Sequence, residues 1–542
     1  MEKMRRNLKC ILAMTSVILL ALVFRLAYIQ IYGSDDLSAA MRAQSMIALK
    51  GSNTRGMIYD RNGQSLVADS KNYIYIIKED EFDVHAEKLL RKLSAEEVGS
   101  DNEGYRVYSS EHYNRSCGKS LIENNNAYIL QASARYSDDQ LAEHLIGYVN
   151  KEDNSGAAGL ELMCDDQLSA LNRRVYAVAD VAGNILQGRG LIIASDEKDD
   201  SIITKGIRTT IDKEIQTAVE NIIEAESSPC AAVVMDVKTG GILAMACTPE
   251  YDQENIQQYL TDGGDELVNK VTQGEYPPGS VFKIVTAAAA LENGVNISSK
   301  YECSGSVKLG DIEIGCETGG EEGHGMIGFE EAFALSCNSF FVQLGMETGA
   351  DNIISTAEKL GLGQKILEGF PQESSGHLMD AEQRYGTAIG NLSIGQGQTL
   401  TTPLQIAVMT NCIASGGINR DAHLLMSDEE KNRQVISENT AEAIGGMMKA
   451  ASLYGTAASL DLKTDTGDVK AAVKTGSAEY GILGENSSHG WITGYTPCDE
   501  PEFTITVFVE NGGSGSLSAG PLFEKIIKYL EESGSYSRPT LA

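Results

Sequence analysis

Three short groupings in this 542-residue chain carry residue types suited to acyl transfer. The first, Ser280-Val281-Phe282-Lys283, follows the chain-breaking Pro277-Pro278-Gly279 and opens an Ala-rich apolar run ending at Asn293-Gly294. Those flanks delimit a helix, with Ser280 at its start and Lys283 one turn on, on the same face. Helix-end N–H groups point at such a serine, and a neighbouring amine can take its proton. For that task Lys283 must be neutral near pH 7, and burial, the positive helix end and a second cation all push its pKa down. The second grouping, Ser336-Cys337-Asn338, offers a hydroxyl to relay protons and an amide to hold a substrate. The third, Lys474-Thr475-Gly476-Ser477, reads as a strand edge. Gly476 there lets a backbone approach closely. The N–H of Ser477, with that of Ser280, suits a developing oxyanion, and Lys474 with Thr475 suits a substrate carboxylate.

Each pattern recurs elsewhere and is weak alone. Ser116 to Lys119 and Ser195 to Lys198 repeat the first spacing. Ser70 to Asn72, Ser100 to Asn102 and Ser437 to Asn439 repeat the second, and Lys238-Thr239-Gly240 repeats the third. Only the Ser280 copy starts an apolar helix, and with Ser336 and Lys474 it gives the order Ser-Lys, Ser-Asn, Lys-Thr-Gly, the order of serine acyl-transfer enzymes.

The elements that must position these groups follow from periodicity. The runs AAVVMDV and GILAMAC, joined by Lys238-Thr239-Gly240-Gly241, read as an antiparallel hairpin. AAVKTGSAEY, HGWITGYT and FTITVFVENGG read as later strands, GPLFEKIIKYL as a closing amphipathic helix, and helices fill the middle. Strands gathered at both ends of one long region imply an antiparallel sheet with helices packed on it, an α+β design. Upstream lies a mixed polar stretch containing RGMIYDRNG, with a tight turn at Asn62-Gly63, and GAAGLE at residues 156–161. The expected division is a basic tail at 1–9, a transmembrane anchor at 10–31, a pedestal at 32–203, a catalytic domain at 204–532 and a flexible tail at 533–542. The anchor expectation rests on an uncharged run at 10–24 behind Lys3, Arg5, Arg6 and Lys9. Arg25 would snorkel, and Asp35 and Asp36 would follow outside, giving a single pass with the N-terminus in the cytoplasm.

Composition excludes more than it assigns. With 76 acidic against 44 basic residues the net charge is −32, which argues against nucleic-acid binding. The ten cysteines are scattered, unlike a dense disulfide framework. A hairpin turning at Leu309-Gly310 would set Cys303 opposite Cys316, leaving a disulfide or two reduced thiols as equal alternatives. The seven histidines are dispersed without HExxH or CxxC, so no metal or cofactor is expected. Cys337 reads as a packing residue, and His324 and His489 as structural.

Taken together, the chain resembles the class B penicillin-binding proteins, the monofunctional peptidoglycan transpeptidases. The likeness runs from the N-terminal segment through RGMIYDRNG, GAAGLE, DVKTGGILAMACTPEYD, YPPGSVFK, GHG, SCN, SIGQGQTLTTPLQIA and KTGSAEY to HGWITGY. The resemblance implies a penicillin-binding/serine β-lactamase-like transpeptidase fold on a mixed α/β pedestal. It implies Ser280 as acylated nucleophile, Lys283 as base, Ser336 as relay and Asn338 as amide clamp. Lys474 and Thr475 become carboxylate contacts, with Gly476 and Ser477 beside them. Stem peptides ending in D-Ala-D-Ala would be substrates, β-lactams covalent inhibitors and a polytopic glycan polymerase a partner. The competing readings are a D,D-carboxypeptidase, a β-lactam sensor or β-lactamase of the same fold, and a non-catalytic scaffold.

Overall fold

The computed structural model describes residues 14–20, 22, 46–49, 55–67, 71–98, 104–133, 135–137, 139–150, 154–169, 173–178, 191–195, 206–310, 312–316, 320, 322–428, 431–464, 466–480 and 487–534. Its centre is a five-stranded antiparallel sheet of β1 (Cys230–Asp236), β2 (Ile242–Cys247), β3 (Ala472–Tyr480), β4 (Ser487–Thr496) and β5 (Phe503–Val509). The spatial order is β2-β1-β5-β4-β3, so strands from the two ends of the region meet between β1 and β5. The hairpin of β1 and β2 turns through the Lys238-Thr239-Gly240 copy, which is therefore a turn and not a site.

The sheet is covered on both faces, which explains why β1 reads as a continuous apolar run rather than an alternating one. Ala231, Val233 and Met235 belong to one core cluster, Cys230, Ala232 and Val234 to the other. The second face is capped by α1 (Lys213–Glu224) and α7 (Ala519–Glu532), packed side by side. The first face holds α2 (Lys283–Glu292), α3 (Phe329–Ala334), α4 (Asn338–Thr348), α5 (Pro403–Ala414) and α6 (Glu438–Leu453). In α2 every residue from Lys283 to Ala290 is buried. Four consecutive alanines let neighbouring helices approach from all sides, so this helix is the axis of the helical layer.

Upstream, strands Glu96–Glu97, Tyr105–Ser110, Lys71–Lys78 and Tyr128–Ser133 form a second sheet in that order. The Asn62-Gly63 turn is present, with the Asp60 carboxylate accepting from the N–H groups of Asn62 and Gln64. The strand before it, Met57–Tyr59, bridges antiparallel to Ser65 across the turn and also pairs in parallel with Gly206–Arg208. GAAGLE supplies Glu161, fully buried and clasped by Arg55 at 2.6 Å and Arg135 at 2.5 Å.

Two expectations are corrected. Within 10–31 the described residues are 14–20 and 22, all helical. No helix among the described residues is long and apolar enough to cross a membrane. The transmembrane anchor, and the single-pass topology built on it, therefore fall, and the rest of 1–31 lies outside the described residues. The hairpin expected to oppose Cys303 and Cys316 has another register. Leu309 pairs with Ile312 within Ser306–Leu309 and Ile312–Gly315, while Cys303 belongs to strand Lys300–Cys303 and faces Gly325. Neither cysteine forms a disulfide.

Candidate active site

The start of α2 is built from a clash that only glycine avoids. Gly279 has φ +55, and a Cβ there would sit 2.6 Å from the Ser477 carbonyl oxygen. Its N–H donates to the Gly395 carbonyl at 2.8 Å. Ser280 follows in a tight turn, Gly279–Phe282, before the regular helix begins at Lys283. The turn presses on β3. A Cβ on Gly476 would meet the Val281 side chain at 3.1 Å and the Pro278 carbonyl at 3.2 Å. The close approach that Gly476 permits is thus that of the Ser280 turn itself.

Around this turn the fold gathers the three groupings. Ser336 adopts φ +57, unusual for a serine, in the link between α3 and α4. Its Oγ accepts from Lys283 Nζ at 3.1 Å and from Lys474 Nζ at 3.0 Å. With both lone pairs used by ammonium or amine donors, its one proton is left to donate. Lys283 also donates to the Ser336 carbonyl at 2.7 Å and to Asn338 Oδ1 at 2.7 Å. Asn338 Nδ2 donates in turn to the Gly315 carbonyl at 3.0 Å, which fixes the amide's orientation.

Both lysines are buried completely. Burial, and then the neighbouring Lys283, hold the Lys474 amine well below the ordinary lysine range. An aromatic ring flanks each amine: Lys283 Nζ lies 5.5 Å from the Phe341 ring centre and Lys474 Nζ 5.7 Å from that of Phe333. Lys474 also donates to the Thr475 carbonyl at 2.8 Å, so its amine points behind β3. Thr475, itself buried, lines the site from β3, where Ser280, Ser336, Asn338, Thr475, Gly476 and Ser477 share one cavity of about 750 Å³. The expected site residues are therefore brought together, with Lys283 and Lys474 beneath the cavity floor.

The copies of these patterns are elsewhere. Ser116 and Lys119 lie exposed on helix Arg115–Asn125. Ser195 ends strand Leu191–Ser195, and Lys198 lies outside the described residues. Ser437 caps α6 through Thr440 N–H. Of the other two copies, Ser70, Ser100 and Asn102 lie outside the described residues.

Two features escaped sequence reasoning. Thr456 shares a 2.6 Å hydrogen bond with the Thr475 hydroxyl and lines the cavity; a lone threonine 19 residues upstream of Thr475 carries no pattern. Behind Asn338, Cys303, Cys316, His324 and Cys337 bring their ligand atoms within 4.8 Å of one another, a set able to hold a metal ion. Spacings of 21 residues from Cys303 to His324 and 8 from Cys316 to His324 match no metal motif. His324 is therefore not an isolated structural histidine. His489 is: it stacks on Tyr480 at 4.0 Å, accepts from Asn511 N–H, and burial pushes its pKa down to about 4.

Residues 230–528 match the family described as penicillin binding protein transpeptidase domain. The peptidoglycan D,D-transpeptidase PbpA of Mycobacterium tuberculosis is 30% identical over 363 residues, 59% of this chain and 72% of that protein. The penicillin-binding protein of Helicobacter pylori, solved in complex with MreC, superposes with a TM-score of 0.70 at 22% identity, over 90% of this chain and 99% of that one. A chain from a peptidoglycan synthase complex that coordinates polymerization and crosslinking gives 0.70 at 24% identity, over 96% and 97%. With the family match covering more than half of its length, the chain belongs to the class B penicillin-binding proteins and is a peptidoglycan D,D-transpeptidase acting through a serine acyl-enzyme.

Proposed function

We propose that Ser280 is the nucleophile and that the two buried lysines work on it through Ser336. The supporting observation is the Ser336 hydroxyl, held between Lys283 Nζ and Lys474 Nζ at 3.1 and 3.0 Å. Two cations this close and this deeply buried cannot both stay charged cheaply, so one amine is neutral and able to accept the Ser280 proton. The alkoxide attacks the penultimate D-Ala carbonyl, and the N–H groups of Ser280 and Ser477 bind the oxyanion. The proton returns through Ser336 to the departing D-Ala amine. An acceptor amine from a neighbouring stem peptide then attacks the ester, transferring its proton back along the same route, and Ser280 is released. Asn338 holds the substrate amide, and Thr475, oriented by Thr456, holds its carboxylate. A β-lactam, whose ring amide mimics the D-Ala-D-Ala bond, acylates Ser280 in the same way.

The division into a pedestal at 32–203 and a catalytic unit at 204–532 belongs to this reading. So do the partners: a morphogenesis protein like the MreC bound to the Helicobacter relative, and a polytopic glycan polymerase. Labelling with a fluorescent penicillin tests the core of it. A covalent band lost in Ser280→Ala, with the fold retained by circular dichroism, is expected. A band that persists in Ser280→Ala but disappears in Ser116→Ala or Ser195→Ala overturns the assignment.

A further inference from the structure

The cluster behind Asn338 has the dimensions of a coordination sphere. Cys303 Sγ and Cys316 Sγ lie 3.5 and 3.6 Å from His324 Nδ1, and Cys316 Sγ lies 3.7 Å from Cys337 Sγ. A tetrahedral zinc with ordinary bond lengths sets its ligands about 3.8 Å apart for sulfur pairs and about 3.5 Å for sulfur and nitrogen. Three thiols packed only for bulk have no reason to converge with an imidazole at those separations. All three cysteines are buried, whereas His324 is partly exposed, so the histidine marks the path by which an ion arrives. Ligands from four separate segments, with no carboxylate and no open position, make a closed structural site selecting a thiophilic divalent cation.

The position of the cluster gives it a task. Cys337 is the residue between Ser336 and Asn338, and its sulfur accepts the Phe340 N–H that starts α4. Cys316 follows Gly315, whose carbonyl receives the Asn338 amide. An ion bound to Cys316 and Cys337 therefore ties together the two segments that orient Asn338, beside the left-handed backbone of Ser336. We propose that Cys303, Cys316, His324 and Cys337 form a zinc site that clamps the Ser336-Cys337-Asn338 segment in its working geometry, so that release of the ion slows acylation of Ser280. The clamp's effect on rate rests on the roles proposed for Ser336 and Asn338; the binding of the ion does not.

The test uses the full chain. Metal analysis of purified protein is expected to find about one zinc per chain, as for other closed thiolate sites. Cobalt exchanged for zinc should give the absorption of a tetrahedral thiolate complex. Removing the ion with a chelator, with circular dichroism to verify the fold, should slow penicillin acylation about 10-fold or more, and added zinc should restore it. Cys303→Ser, outside the three motif segments, should lower zinc content and acylation rate together. Protein without bound metal, or a Cys303–Cys316 disulfide found by mass spectrometry, overturns the site. Stoichiometric zinc whose removal leaves acylation unchanged overturns the clamp. Loss of labelling in Ser280→Ala is read independently of both.

Discussion

The two halves of the molecule bury charge in opposite ways. In the upstream half Glu161 is sealed from solvent, but Arg55 and Arg135 each meet it through a direct ion pair and the Tyr136 hydroxyl adds a third contact at 3.3 Å. Charge there is balanced, and the Arg55 fork also reaches the Glu161 and Asn154 carbonyls, so the arrangement joins distant chain segments. At the candidate active site two buried lysines instead meet at one hydroxyl and donate to an amide oxygen and to carbonyls. A balanced cluster resists change and serves architecture. Burial beside a second lysine lowers an amine's proton affinity, which is what a base needs.

Substitutions break this comparison in descending order of effect. Ser280→Ala removes the nucleophile and should eliminate transpeptidation measured as dimeric muropeptides, with the unfolding midpoint unchanged. Lys283→Ala should slow acylation by about 10²–10⁴-fold, the usual worth of a general base, whereas Lys238→Ala in the hairpin turn should leave the rate unaltered. Glu161→Gln strips Arg135 of its carboxylate, leaves Arg55 only Asp165, and should destabilise by about 3–5 kcal/mol. Measured by urea unfolding, that loss should come without change in the acylation rate of the folded fraction. Lys474→Met should have the reverse signature, a large rate loss with little cost in stability at neutral pH. Its pH dependence has a definite sign. A lysine whose folded pKa is lowered binds fewer protons folded than unfolded. Wild-type stability relative to Lys474→Met should therefore rise as pH rises from the lowered value toward about 10.4, and be level below the lowered value. The smallest effect is expected for Thr456→Val, which removes one hydrogen bond, about 1 kcal/mol. It should appear as weaker binding of the substrate carboxylate with the fold intact.

Much of this arrangement is legible in sequence because its signals are local. Pro277-Pro278-Gly279 before an alanine run marks a helix start, and the strands of the central sheet stand out as apolar runs between turn residues. What escaped has a shared physical cause. The register of the strands around Cys303 and Cys316 depends on which turn closes, and a shift of a single turn residue regroups every partner. Thr456 meets Thr475 only because β3 folds back against the end of α6. The four metal-capable side chains come from separate segments whose convergence no spacing records. Gly476 was legible as a close-approach position, but the approaching backbone is the Ser280 turn. The anchor expectation fell because no helix among the described residues is long and apolar enough to cross a membrane.

The claim that one amine of the pair is neutral at working pH is tested most directly by the pH dependence of single-turnover acylation of the full chain by a penicillin. The rate should rise along a limb with a midpoint well below 10.5, the ordinary lysine value, and Lys474→Met should displace that limb. A limb centred at the ordinary lysine value, unmoved by Lys474→Met, would contradict the account.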